Sequence, residues 1–319
     1  MAVDVATFAA HSAIGNREDL SNVIYNIDPV ETPFVSGIER AKASAVLHEW
    51  QTQALAAANS TNSVMEGDDG VTDTATPTVR ITNYCQISDK VARVSGTQRS
   101  VEAAGRGDEL DYQVALKGKE LKRDMETILL ANQGKAAGAF AATPRAVGAV
   151  LAYILSNTSK GTNGSDPSSV GAGTSTRTDG TMRAFTEAQL KTVLQSAWNN
   201  GGDPDTILVG GFNKQQFSTF TGRSTPMEQA SSRKIVAAVD YYDSDFGRLK
   251  VVPDRFMRSR DVLILQMDMW ALATLPGRNM VSTTLAKTGD SDRKQILTEY
   301  TLESRNEKAS GGVFDVTSA

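Results

Sequence analysis

Hydrophobic positions recur with different periods in successive blocks of this chain. The first 43 residues carry little regular core pattern and read as an N-terminal arm. Their firmest feature is IDPVETPFVSGI at 27–38, where Pro29 and Pro33 fix φ and push the residues before them toward extended backbone. Thr32 is placed to cap a short helix with Pro33 at its first position. Phe34, Val35 and Ile38 form its apolar face, and Gly37 weakens it. SAVLHEWQTQ at 44–53 reads as a strand, and TVRITNYCQISDKVARV at 78–94 as another. In the second, Val79, Ile81, Cys85, Ile87 and Val91 are predicted to share one face, with Arg80, Thr82, Gln86 and Ser88 on the other. Between them ALAAANSTNSVMEGDDGVTDTATP, 54–77, has few side chains able to build a core. Two strands around so long a tip predict a projecting hairpin limb rather than a tight turn.

Helical spacing is clearest at 108–133, where Leu110, Val114, Leu121, Met125 and Ile128 recur on one side with Leu129 beside them. Acidic residues favour its start, Gly134 can cap its end, and Gly118 is a mild weak point inside it. Residues 134–147 are Ala- and Gly-rich, and 156–184 is nearly free of large apolar groups and reads as a long surface loop. Thr186 and Gln189 fit a capping box, followed by a helix face of Leu190, Val193, Leu194 and Trp198. DTILVG at 205–210 reads as a buried strand, and 213–220 as a helix capped by Asn213. From 234 onward strands dominate: KIVAAVDYY, RLKVVP after a DSDFG turn, VLILQM and MWALATL. In the tail Ile296, Tyr300 and Leu302 share a face opposite Leu297, Glu299, Glu303 and Arg305.

Charge narrows the function. With 33 basic and 37 acidic residues the net charge is -4, which argues against a protein whose main task is gripping nucleic-acid phosphates. Cys85 is the only cysteine, so no intrachain disulfide exists and a reducing compartment is expected. No 18-residue apolar window suits a membrane span, and the N-terminus lacks the form of a secretion signal. The catalytic inventory is thin. His11 lies in the arm and His48 in a strand, with no serine-elbow or partner pattern beside either. GGFNKQQ at 210–216 follows a strand into a helix but lacks the phosphate-loop motif, and GAGTST at 171–176 lacks the third glycine of a dinucleotide fingerprint. Glu66, Asp68, Asp69 and Asp73 form an acidic patch whose spacing fails the calcium-loop pattern and reads as a solvated tip. No catalytic, cofactor-binding or metal residue is assigned, and no cofactor is expected.

Arm, hairpin limb, one-sided helix, Gly/Ser-rich loop, α/β unit and strand-rich end occur in that order. Together with IDPVETPFVSGIERAKA, HEWQTQAL at 48–55 and EYTLESRNEKASGG at 299–312, this order resembles the major capsid proteins of tailed bacteriophages, the Hong Kong 97 fold. The resemblance implies an α+β chain with an N-terminal arm (1–43) and an extended loop (44–95) lying over a neighbouring subunit. It further implies a peripheral domain with a spine helix (96–140), an axial domain (141–235), and peripheral strands with a C-terminal strand (236–319). Pro29, Thr32, Pro33, Phe34, Trp50, Glu66, Asp68 and Asp69 are the implied inter-subunit contacts. The implied function is structural: pentamers and hexamers in an icosahedral virion shell around double-stranded DNA held without sequence-specific binding, assembled in the bacterial host cytoplasm. Implied partners are a separate scaffolding protein, a portal and a decoration protein, with no membrane. Residues 51–80 contain no lysine, so crosslinking through a lysine of the extended loop, which some relatives use, has no residue here. Two readings stand beside this one: an encapsulin-like compartment of the same fold, and a soluble enzyme built on the α/β unit at 186–275.

Overall fold

Residues 31–67, 69–70, 74–101, 107–168, 173–220 and 240–318 are described by a computed structural model, so most of the expected arm, with Pro29, and Asp68 lie outside them. Along the chain, α1 (Pro33–Gly37) and β1 (Glu39–Lys42) lead into β2 (Leu47–Thr52). After the limb come β3 (Val79–Tyr84), β4 (Gln86–Ser95), α2 (Gly96–Ser100) and α3 (Glu109–Leu129). Next are β5 (Asn157–Ser159), α4 (Glu187–Asn199), β6 (Thr206–Val209) and α5 (Gly211–Phe217). The chain ends in β7 (Tyr241–Ser244), β8 (Gly247–Pro253), β9 (Val262–Leu265), β10 (Trp270–Thr274), β11 (Val281–Leu285), β12 (Ser291–Ser304) and β13 (Gly311–Val313).

The helix expected at 108–133 forms as α3, with Asp108 at its start accepting from Leu110 N through Oδ1 at 2.8 Å, while its end is capped at Leu130 and not at the expected Gly134. Its stripe of Leu110, Leu121, Met125 and Leu129 is buried against one face of a five-stranded sheet. In that sheet β12 is central, paired antiparallel with β4 on one side and with β10 and β11 on the other, while β1 adds parallel to β10. β1 is a strand within the expected arm that no alternation announced, because its side chains Glu39, Arg40 and Lys42 are exposed and it joins the sheet through its backbone.

The strand expected at 78–94 divides at Cys85. β3 pairs with β2, whereas β4 crosses to β12. The division reverses which positions are covered: Ile81 and Cys85 are buried, but in β4 Ala92 and Val94 are buried while Ile87 and Val91 face outward. The single predicted face is therefore corrected to two, since one extra step at the change of partner turns every later side chain over.

A second sheet runs β5-β13-β9-β6-β8-β7. α4 covers one side of it, with Leu190, Val193 and Leu194 packed on Ile207, Val209, Val251, Ile264 and Val313. Gly311 lies directly under that helix, where a Cβ would come within 2.5 Å of Asn157 O and 2.7 Å of Val193 Cγ1. From the other side Leu208, Leu263 and Leu265 join Phe34, Met125, Leu129, Trp270 and Leu302 in a core shared by both sheets. The expected division at 235/236 does not follow these sheets. Strands β7, β8, β9 and β13 belong with β6, and only 270–304 returns to the α3 sheet. Two smaller expectations are corrected. Trp198 points outward onto Phe246 (ring centroids 5.4 Å apart) and Ala197 takes its place in the buried face of α4. Asn213 is not a cap but a buried residue inside α5, its Nδ2 donating to Ser259 O at 2.9 Å.

Candidate assembly surfaces

Two of the segments singled out by sequence meet at the root of the limb. His48 lies 3.3 Å from Glu303, and Trp50 Nε1 donates to Ser304 O at 2.7 Å, so HEW on β2 is fastened to ESR on β12. That hydrogen bond from His48, against the opposing effect of burial, helps hold Glu303 below the ordinary carboxylate range, aided by Arg305. Asn83 on β3 is buried and donates to Leu302 O at 2.7 Å and Gly148 O at 3.1 Å. Lys135 Nζ reaches Thr82 O at 2.7 Å, and burial lowers its pKa. The limb thus leaves the body as a stiff two-stranded ribbon rather than a hinge.

Beyond that root the limb is bare. Every described residue from 53 to 80 is exposed, including Leu55, Val64 and Met65 and the acidic tip residues Glu66 and Asp69. Its own hydrogen bonds are local: Thr61 N and Oγ1 both donate to Asn59 Oδ1, and Gln53 Nε2 donates to Thr76 O. The described residues of this segment thus hold apolar side chains in water.

The proline corner works differently from the sequence expectation. Pro33 does open α1, but the Thr32 hydroxyl makes no cap and lies 3.3 Å from the Ser36 hydroxyl. The free N–H groups of Phe34 and Val35 instead donate to the two carboxylate oxygens of Glu126 on α3, each at 2.7 Å. Phe34 is wholly buried in its own chain and Thr32 is nearly so. Their side chains therefore brace the corner from within their own chain. Trp50 is partly buried against the same core and spends its indole N–H at the limb root.

The described parts of the loop expected at 156–184 are tied down by buried polar groups. Arg177 enters with 3% exposure, stacks 3.5 Å from the centroid of Phe314, and donates to Asp166 at 2.5 Å and Ile154 O at 3.1 Å. Asp315, at φ 62°, accepts from Gly161 N, Gly180 N and Arg260 at 2.7–3.0 Å. Arg258 donates to both oxygens of Asp179 at 2.6 Å. Burial alone would raise Asp166 and Asp179, but their arginine partners, with Lys160 beside Asp166, hold both below the ordinary range. Buried Asp261 is pushed up to about 6 despite Arg258 and Arg177. Ionic and backbone bonds do here what an apolar core does elsewhere.

Nothing in the described residues gathers into a reaction centre. No group of three or more His, Cys, Asp or Glu among them could hold a metal. Burial and Glu299 raise the Cys85 thiol to about 11, against the opposing pull of Arg145. A cavity of about 240 Å³ between α4 and the β7–β8 turn is lined by Lys191, Leu194, Gln195, Ser244, Asp245 and Phe246, with Lys191 already paired to Glu187 at 2.8 Å. No described helix is long and apolar enough to cross a membrane.

Comparison with known proteins adds four likenesses. The family profile described as SU10 major capsid protein matches residues 6–317. The major capsid protein of Escherichia phage Phieco32 is 27% identical, the alignment covering 96% of each chain. A chain of the cyanophage A-1(L) capsid asymmetric unit superposes with a TM-score of 0.63 at 11% identity, over 97% of this chain and 98% of its own. A chain from Mycobacterium phage Adephagia does so at 0.60 and 10%, over 95% and 96%. At such identities the structural likeness speaks for the fold, an α+β chain of the Hong Kong 97 type.

Proposed function

This chain belongs to the SU10 major capsid protein family, and on that premise we propose how its surfaces build a shell. It is a structural protein of the phage virion, a head-shell subunit and not an enzyme. Copies associate as pentamers and hexamers through heterologous contacts that close by rotation, and the rings close into an icosahedral shell around double-stranded DNA. The observation that carries this reading is the limb: fastened at its root by Trp50, His48 and Asn83, with every described residue from 53 to 80 exposed. It lies across an adjacent subunit, burying Leu55, Val64 and Met65 there, while Glu66 and Asp69 meet basic groups or water at its tip. Contacts of obligate scale, on the order of 2,000–5,000 Å² per subunit, make the shell cooperative. The net charge of -4 suits a wall that confines DNA without binding it tightly. A separate scaffolding protein, a portal and a decoration protein complete assembly in the host cytoplasm.

Size-exclusion chromatography with negative-stain microscopy of the full-length chain tests this. Large closed particles or ring-shaped capsomers are expected. A sample that stays monomeric at high concentration, its limb folded back on its own body, would end the proposal.

A further inference from the structure

The cap on α1 is a carboxylate in a place where a carboxylate is expensive. Glu126 has no exposed surface and Asp254, just after β8, almost none. Their carboxyl groups lie within hydrogen-bonding reach of each other. Glu126 accepts from Phe34 N and Val35 N at 2.7 Å, and Asp254 Oδ1 accepts from Phe256 N at 2.8 Å, with Met257 N also turned toward the group. Asp254 Oδ2 is buried with no donor. No described lysine or arginine forms an ion pair with either group. Arg123, one turn back on α3, lies over the Phe256 ring 5.3 Å from its centroid. Two ionised carboxylates in such a site would repel with little screening. One proton between them removes the repulsion and gives the orphan oxygen its partner.

We propose that Glu126 and Asp254 share a single proton, and that this bridge is a proton-operated latch joining the α1 corner, the spine helix α3 and the strand end after β8. While the proton is present, Glu126 holds Phe34 and Val35 and Asp254 holds Glu126. When it leaves, two buried charges face one another, and the corner at the base of residues 1–30 is the part free to separate. Burial, followed by the charge of Asp254, raises Glu126 to about 8 against the opposing backbone N–H groups, and Asp254 is raised by burial as well. In the unfolded chain both carboxyls are ionised above about pH 5. Between pH 5 and 8 the folded chain therefore holds one more proton than the unfolded chain, so the latch stabilises fully at low pH and is lost as pH rises through 8.

Equilibrium unfolding of the full-length chain between pH 5 and 8 reads this directly. One extra native proton makes the wild-type unfolding constant grow about tenfold per pH unit beyond the contribution of all other groups. Asp254→Asn keeps a donor beside Glu126 without sharing a proton, and Glu126→Gln does the converse. Each removes the carboxylate–carboxylate repulsion but leaves the other carboxyl buried, so the tenfold-per-unit dependence is expected to end at a lower pH than in the wild type. A dependence that ends at the wild-type pH in both variants overturns the latch. Should either variant fail to fold, infrared difference spectra of wild-type particles decide. A carboxylic-acid carbonyl band that disappears as pH passes 8 supports the shared proton, and its absence at pH 7 refutes it.

Discussion

Asp315 shows how much a single side chain organises around the segment 156–184. Its carboxylate, 1% exposed, receives two backbone N–H groups and Arg260, joining segments 135 and 154 residues away. Asp315→Ala leaves two backbone donors without their acceptor and takes one of two carboxylate partners from half-buried Arg260, which keeps Asp179, and should lower stability by about 1–3 kcal/mol, read as a fall in the denaturant midpoint. A change under 1 kcal/mol would mean that water replaces the carboxylate at no cost. None of this was legible in SNTSKGTNGSDPSSVGAGTSTRTDGTMRA, whose residues each look solvated. The partners of Arg177 and Asp315 come together only in the fold, and a charge reads as buried only once its counter-charge is in place. The same reason hid Glu126. On a helical wheel it sits beside the stripe as one more polar residue, and nothing local marks it as the cap of a helix 92 residues away.

At the scale of elements, local period was a good guide wherever one element buries one face. α3 spans Glu109–Leu129 within the 108–133 expected, and α4 opens with Gln189 Oε1 accepting from Thr186 N as the capping-box motif predicts. Gly118 is the weak point of α3, and a Cβ there would meet only Met280 Cε at 3.9 Å and Ile296 Cδ1 at 4.0 Å, ordinary contact distances. Gly118→Ala should therefore stabilise the chain by about 0.5–1 kcal/mol, raising the melting temperature of the subunit. A lower melting temperature would show that α3 needs to bend at that point during assembly or folding. Period failed at β4, where the alternation is real but changes parity at Cys85, since that strand takes its partner from the far end of the chain.

The described residues form two larger sheets around a shared core, with the two-stranded β2–β3 ribbon rooted in that core through Trp50 and Ile81 and the limb beyond it exposed. Every described residue between 53 and 80 is exposed, so removing residues 56–76 takes away no buried residue among those described. The shortened chain should keep its circular dichroism and its unfolding midpoint yet form no stable shells, as judged by electron microscopy. Normal particles from that deletion would show that the limb is dispensable and that the shell is held by the body alone.

The sequence by itself determined the parts: a proline corner, a limb too polar to fold alone, a one-sided helix, buried strands such as VLIL, and the family to which their order points. Those features are local, set by period, turn chemistry and composition within a few residues. Only the tertiary structure decided which strands share a sheet, where parity reverses, that Phe34 faces inward, and that Glu126 meets Asp254 and two backbone amides. Each of those depends on groups far apart in sequence, and burial changes the chemistry of a charge only when a distant partner has arrived to share the space.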